Sequence, residues 1–142
     1  MKTVRDQKLT ALAELPLFAD LGQHELVELA KALDMSWASP GETLEMEDRQ
    51  TRWWKVIVHG TACVSQHGEP TGLLNAGHWW GERSIVSGER SMVTVVAVTP
   101  VVLLTLGRRD FLELPRRHPL VASRIIMQLV DRRAPYEGWD VA

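Results

Sequence analysis

At 142 residues, 45% of them hydrophobic, the chain suits one domain with its own core and needs neither metal nor disulfide to hold it. A formal charge of −2, with acids and bases interspersed, leaves no basic stripe and argues against direct DNA or RNA binding. The single cysteine, Cys63, can form no internal disulfide, and no apolar run reaches the roughly 20 residues of a membrane span. The basic N-terminus, Met1 to Lys8, is followed by no apolar run that would act as a signal segment, so a reducing, cytoplasmic location without membrane insertion is expected.

Leu9, Leu12, Ala13 and Leu15 lie on helical spacing until Pro16, which predicts a short first helix. From Gln23 to Leu33 the apolar stripe Leu26, Val27, Leu29, Ala30 and Leu33 faces away from Glu25, Glu28 and Lys31, the pattern of an amphipathic surface helix. Strand signals run from Ser36 to Leu106, punctuated by Pro40-Gly41, Gly60, His67-Gly68-Glu69-Pro70 and Ala76-Gly77, the spacing of short antiparallel strands in a sandwich or barrel. Val56–Val58 and Ala62–Val64 are predicted to form a hairpin about Gly60, with Cys63 in the core. Pro100 divides the apolar run from Val93 to Leu106 into two strands. Trp53 and Trp54 must face opposite sides of a strand, so one is expected to be exposed.

After Gly107 a helix is predicted through Leu114, ending at Pro115, and a last helix from Pro119 to Arg133. That last helix carries more apolar residues than one face can hold, including Leu120, Val121, Ile125, Ile126, Met127 and Val130. Three readings are open: a helix packed on its own domain, a ligand lid, or a dimer contact. Residues 134–142 read as a tail, and about 9–133 as the core of a single domain spanning 1–142.

The chemistry concentrates in Gly77 to Ser91, where glycine, acid, arginine and hydroxyl stand together between two apolar strands. Gly81 lets backbone approach a ligand, and Ser84-Ile85-Val86 is long enough for one helical turn whose first N–H groups lack intrahelical partners. Glu82 is suited to accept hydrogen bonds from sugar hydroxyls, and Arg83 and Arg90 to neutralise a phosphodiester.

Gly81-Glu82-x-Ser84-Ile85-Val86, followed by Ser87-Gly88-Glu89-Arg90-Ser91, resembles the phosphate-binding cassette of the cyclic nucleotide-binding domain family. Leu15-Pro16-Leu17-Phe18-Ala19-x-Leu21, Pro40-Gly41-Glu42, Gly60 and Arg109-Asp110-Phe111 extend the likeness over about residues 9 to 133. The resemblance implies a mainly β fold with flanking helices, a double-stranded β-helix (jelly-roll) between N-terminal and C-terminal α-helices. It also implies that Glu82 holds a ribose 2′-hydroxyl and that an arginine on the following strand pairs with the cyclic phosphate. Counted back from Ala97, that arginine's position is held by Ser91, and Arg90 stands where proline is common. A bulge near Ser91 would restore Arg90 to the site.

Within the resemblance, Met92 leans toward adenine, Arg132 matches the place of a cation set over the base, and Asp48 and Thr51 stand in a loop where glycine is usual. Trp79 and Trp80 match an aromatic or aliphatic pair, one expected in the core and the other partly exposed. The implied ligand contacts are thus Gly81, Glu82, Arg83, Ser84, Arg90, Ser91, Met92 and Arg132, with cyclic AMP or another small phosphate as ligand and no cofactor. His59, His67 and His78 lack the His-x-His spacing of a metal-binding cupin, and no catalytic constellation is present, so neither a metal nor an enzyme is expected. The expected role is a sensor whose last helix transmits occupancy, as a homodimer without direct DNA contact. The alternative is a scaffold of the same fold that has lost its nucleotide and serves dimerisation or docking.

Overall fold

Helix α1 (Val4–Glu14) starts earlier than its apolar spacing predicts because a cap sets its start. The Asp6 N–H donates to the Thr3 hydroxyl at 3.1 Å and the Thr3 N–H donates to the Asp6 carboxylate at 3.1 Å, satisfying donors that the first turn leaves open. The computed structural model describes residues 3–131. Pro16–Phe18 form a 3₁₀ turn, and α2 (Gln23–Ala32) follows as predicted.

Among the described residues, eight strands build two antiparallel sheets, the jelly-roll arrangement expected. The first holds β1 (Asp34–Ala38), β8 (Val101–Gly107), β3 (Trp53–His59) and β6 (Trp79–Trp80) in that order. The second holds β2 (Thr43–Glu45), β7 (Thr94–Ala97), β4 (Ala62–Gln66) and β5 (Glu69–Leu74). The expected hairpin about Gly60 does not form: β3 and β4 lie in opposite sheets, and Gly60 is the corner where the chain crosses between them. A Cβ there would sit 2.2 Å from the Pro100 carbonyl oxygen, at φ +99°, so only glycine permits the crossing. The true hairpin is β4–β5, whose two turn residues His67 and Gly68 have φ of 53° and 81°, the handedness that matches strand twist. Cys63, expected in the core, is only partly buried.

Two apolar clusters sit on the two faces of the first sheet. On one face Trp54, Val56, Leu104 and Leu106 pack with Leu12, Phe18, Leu29, Phe111, Val121 and Ile125 of the helical segments. On the other, Ile57, Trp80 and Leu103 pack with Val64, Leu74, Val95 and Ala97 of the second sheet. This explains why both Trp79 and Trp80 are buried, where one was expected to be partly exposed: Trp79 belongs to the helix-side cluster and Trp80 to the sheet-side cluster. Trp53 and Trp54 do divide as expected, at 46% and 1% exposure.

Beyond β8 the chain makes two short helices where one was predicted, α3 (Glu82–Ser87) having come earlier in the cassette. These are α4 (Arg108–Leu112) and α5 (Leu114–Arg117). Pro115 lies in the first turn of α5, where its missing N–H is no loss, so it opens a helix and does not end one. Helix α6 (Pro119–Asp131) buries Val121, Ala122 and Ile125 and leaves Leu120, Ile126, Met127 and Val130 exposed. Arg124 fastens it by donating to the Leu17 and Ala19 carbonyls. Among the described residues no helix is long and apolar enough to cross a membrane.

Gly60→Ala is expected to lower the unfolding free energy by about 3 kcal/mol, combining left-handed strain with the carbonyl overlap, as a drop in the urea midpoint. Gly22→Ala, where an added Cβ meets nothing within 4 Å, should cost less than about 1 kcal/mol.

Candidate ligand-binding cassette

The turn after β6 is forced by close backbone approach. Gly81 has φ +106°, and a Cβ on it would lie 2.3 Å from the Trp53 carbonyl oxygen. That contact docks the cassette on β3 and turns the chain directly into α3, which Gly88, also left-handed at φ 77°, ends after six residues. Glu82 and Ser84 are buried. The Ser84 hydroxyl accepts from the Thr51 N–H at 3.3 Å and donates to the Glu89 carbonyl, tying the helix to both flanking segments.

Arg83 and Glu89 form an ion pair at 2.7 Å across the outside of the turn, both about half exposed. Arg90 is exposed, and its guanidinium reaches the Asp48 carbonyl at 3.4 Å. Ser91 is buried, pairing its backbone with the preceding loop through Asp48 N–H to Ser91 O and Ser91 N–H to Arg49 O, each 2.9 Å. Its hydroxyl donates to the Val93 carbonyl at 2.7 Å. In that backbone pairing two residues, Asp48 and Arg49, stand opposite Ser91, so the bulge lies in the facing loop and not on the strand of Ser91, and it leaves Arg90 exposed. Further register shifts in this sheet fall between Thr43 and Glu45 and between Val64 and Ser65. Asp48 takes the left-handed conformation, φ 63°, that glycine would adopt without strain.

The β2 shift turns Glu45 inward and Met46 out to 42% exposure. Glu45 is buried, and Lys55 of β3 meets it at 3.4 Å while donating to the Leu44 carbonyl at 2.9 Å. Burial raises the Glu45 pKa above its ordinary value, opposed by Lys55, Ser91 and Trp80. Glu45, Gly81, Glu82, Ser84, Ser91 and Met92 enclose a space of about 10 Å³, room for about one water. Its rim, the Arg83–Glu89 pair, is a surface ion pair worth at most about 1 kcal/mol and opens at little cost. A larger apolar cavity of about 450 Å³ lies between α3, α4 and α6, with Glu82 at one end and Phe111, Ile125 and Leu129 along it.

A cyclic nucleotide-binding domain model matches residues 36–118, more than half of the chain. The chain belongs to the cyclic nucleotide-binding domain family. It is 32% identical, over 86% of its length and 34% of the relative's, to a cyclic nucleotide-gated potassium channel of Rhizobium etli. It is 30% identical, over 70% of its length and 27% of the relative's, to a cAMP-dependent protein kinase regulatory subunit of Yarrowia lipolytica. The regulatory subunit of a cAMP-independent protein kinase A from Trypanosoma cruzi, bound to guanosine, superposes with a TM-score of 0.70 at 28% identity, over 83% of this chain and 43% of that one. The chain spans about a third or less of the length of the curated relatives it matches.

As a cyclic nucleotide-binding domain, the chain is regulatory in kind. The fold brings Gly81, Glu82, Arg83, Ser84, Arg90, Ser91 and Met92 to one small space. Arg132 lies outside the described residues. Glu45 and Lys55 were missed. The signal for them was a lysine inside Trp-Trp-Lys-Val-Ile-Val and an acid between Leu44 and Met46, both polar residues in strands otherwise read as apolar.

Glu45 holds its proton more tightly folded than unfolded, so its contribution to stability is full below the unfolded value and is lost as pH rises through the raised folded value. Wild type is expected to lose stability relative to Glu45→Gln as pH rises above 4.5, with the difference levelling off beyond the folded value. Urea denaturation at pH steps from about 4 to 8 measures this.

Proposed function

We propose that the chain is the sensor module of a larger regulated protein, that it takes a purine ribosyl ligand at the cassette, and that α6 passes occupancy on. The observation that carries this reading is Glu82, a buried acid held at a glycine-forced turn, where it can accept hydrogen bonds from vicinal sugar hydroxyls. Among cyclic nucleotides, cyclic AMP comes first, supported by the name of the Yarrowia relative and by Met92, which brings no hydroxyl to a guanine. The guanosine in the Trypanosoma structure supports extending the ligand class to nucleosides.

The link to α6 has two parts. The Trp79 indole N–H donates to Gln128 of α6 at 2.6 Å, and the 450 Å³ cavity separates α3 from α6. A ligand that enters beside Glu82 biases α6 only through a difference in affinity between its positions, and this polar tie together with the apolar gap gives α6 two faces to trade. A second reading, a dimerisation or docking module, is favoured by the exposed Leu120, Ile126, Met127 and Val130 of α6. Light scattering at high protein concentration, with and without ligand, distinguishes a homodimer through this face from a monomer.

Calorimetric titration with cyclic AMP, cyclic GMP and a cyclic dinucleotide is expected to give saturable heat with at least one ligand. Glu82→Ala should weaken that binding by about 1.5 to 3 kcal/mol, one to two decades. Arg90→Ala, at an exposed residue, should change it by less than threefold. Hydrogen exchange of α6 should change on ligand addition in wild type and by less in Gln128→Ala; unchanged exchange in wild type would remove α6 as the transmitter.

A further inference from the structure

We propose that Glu45 sets the charge of the ligand, so that the cassette takes an uncharged purine ribonucleoside in preference to the matching cyclic phosphate. This rests on the ribosyl reading above and specifies the other end of the ligand. A ligand whose ribose meets Glu82 brings its ester end toward Ser91, because the two residues line the same small space. Glu45 lines that space too, with a side chain only 6% exposed.

The cations nearby are already engaged. Lys55, 16% exposed, is shared between Glu45 and the Leu44 carbonyl, and so neutralises an acid already present. Arg83, paired with Glu89 at 2.7 Å, and Arg90, on the Asp48 carbonyl, both stand at the exposed rim, where pairing with an anion is screened by solvent. An anion at Ser91 would therefore gain no buried cation and would sit beside a buried carboxyl, where low dielectric strengthens repulsion. Relief would need a proton on Glu45, whose pKa burial already pushes up.

A nucleoside changes the sign of that contact. In place of the cyclic diester it carries two free hydroxyls, each a donor, and a hydrogen bond from a hydroxyl to a carboxylate is among the stronger neutral-to-ion pairings. Ser91 is small enough to leave room for them and supplies a second acceptor. The exchange of a basic side chain for a hydroxyl and the burial of an acid behind it act in the same direction, toward a ligand that donates and carries no charge.

The test is calorimetric titration of the full chain with adenosine, guanosine, cyclic AMP and cyclic GMP at one ionic strength. Each nucleoside is compared with its own cyclic phosphate. In wild type the better-binding base should favour the nucleoside at least tenfold, ~1.4 kcal/mol. Glu45→Gln should shrink that ratio about tenfold, chiefly by strengthening the cyclic phosphate. Should Glu45→Gln not fold, the pair replacement Glu45→Gln with Lys55→Met leaves no unpaired buried charge and should shrink the ratio likewise. A wild type that binds the cyclic phosphate as tightly as the nucleoside overturns the proposal, as does an unchanged ratio in a folded Glu45 variant. In both cases binding lost in Glu82→Ala leaves the ribosyl reading standing. No heat with any of the four compounds sinks the ribosyl reading and this proposal with it.

Discussion

The two sheets share an apolar interior along most of its length, but at the cassette end that interior is closed by an ion pair, Lys55 of β3 with Glu45 of β2. The partners come from opposite sheets, so the contact joins the two layers as well as filling the space between them. A pair buried this deeply adds little net stability, because desolvation offsets most of the attraction, yet removing one partner leaves the other stranded at a cost of about 3 to 5 kcal/mol. Sheet stacking and site electrostatics therefore depend on the same two residues.

The cassette depends on that frame through a second close contact. Gly81 lies against the Trp53 carbonyl, on the strand that also carries Lys55, so the turn, the buried acid of α3 and the ion pair are positioned by one stretch of β3. The link outward is equally short. Trp79 stands two residues before Gly81, packs against Trp54 at 5.9 Å centroid distance with the rings tilted by 47°, and donates to Gln128 of α6. Trp79 thus joins the segment before the turn directly to α6, with no loop between.

Much of this was legible in the residues. The glycine and acid of Gly81-Glu82, the run of short strands and the helices at both ends pointed to the correct family and fold. What escaped was tertiary. Two strands flanking a glycine turn read as a hairpin, since nothing local distinguishes a turn within a sheet from a corner between sheets. The two tryptophans of β6 read as half exposed because alternation sends one side chain to each face, and only the complete fold reveals that both faces are covered. Glu45 escaped for a subtler reason. A one-residue shift in β2 inverts the side-chain order, so Glu45, which strict alternation would place outside, lies within, and Met46, which it would place inside, lies outside. Placement of Ser91 where the resemblance implies an arginine was readable, but its meaning required the buried acid behind it.

The corner at Gly60 also governs how this molecule comes into being. Because the chain leaves one sheet for the other there, β3 finds its longer partner in β8 and β4 finds β7, each tens of residues downstream, and among the described strands only β4–β5 is paired by a tight local turn. Loop-closure entropy must be met before those distant pairings return anything, which places the domain among the slower folders of its size. During that interval β3, rich in tryptophan and valine, has only the two residues of β6 to pair with on one edge, and its other edge is open to self-association until β8 has been made.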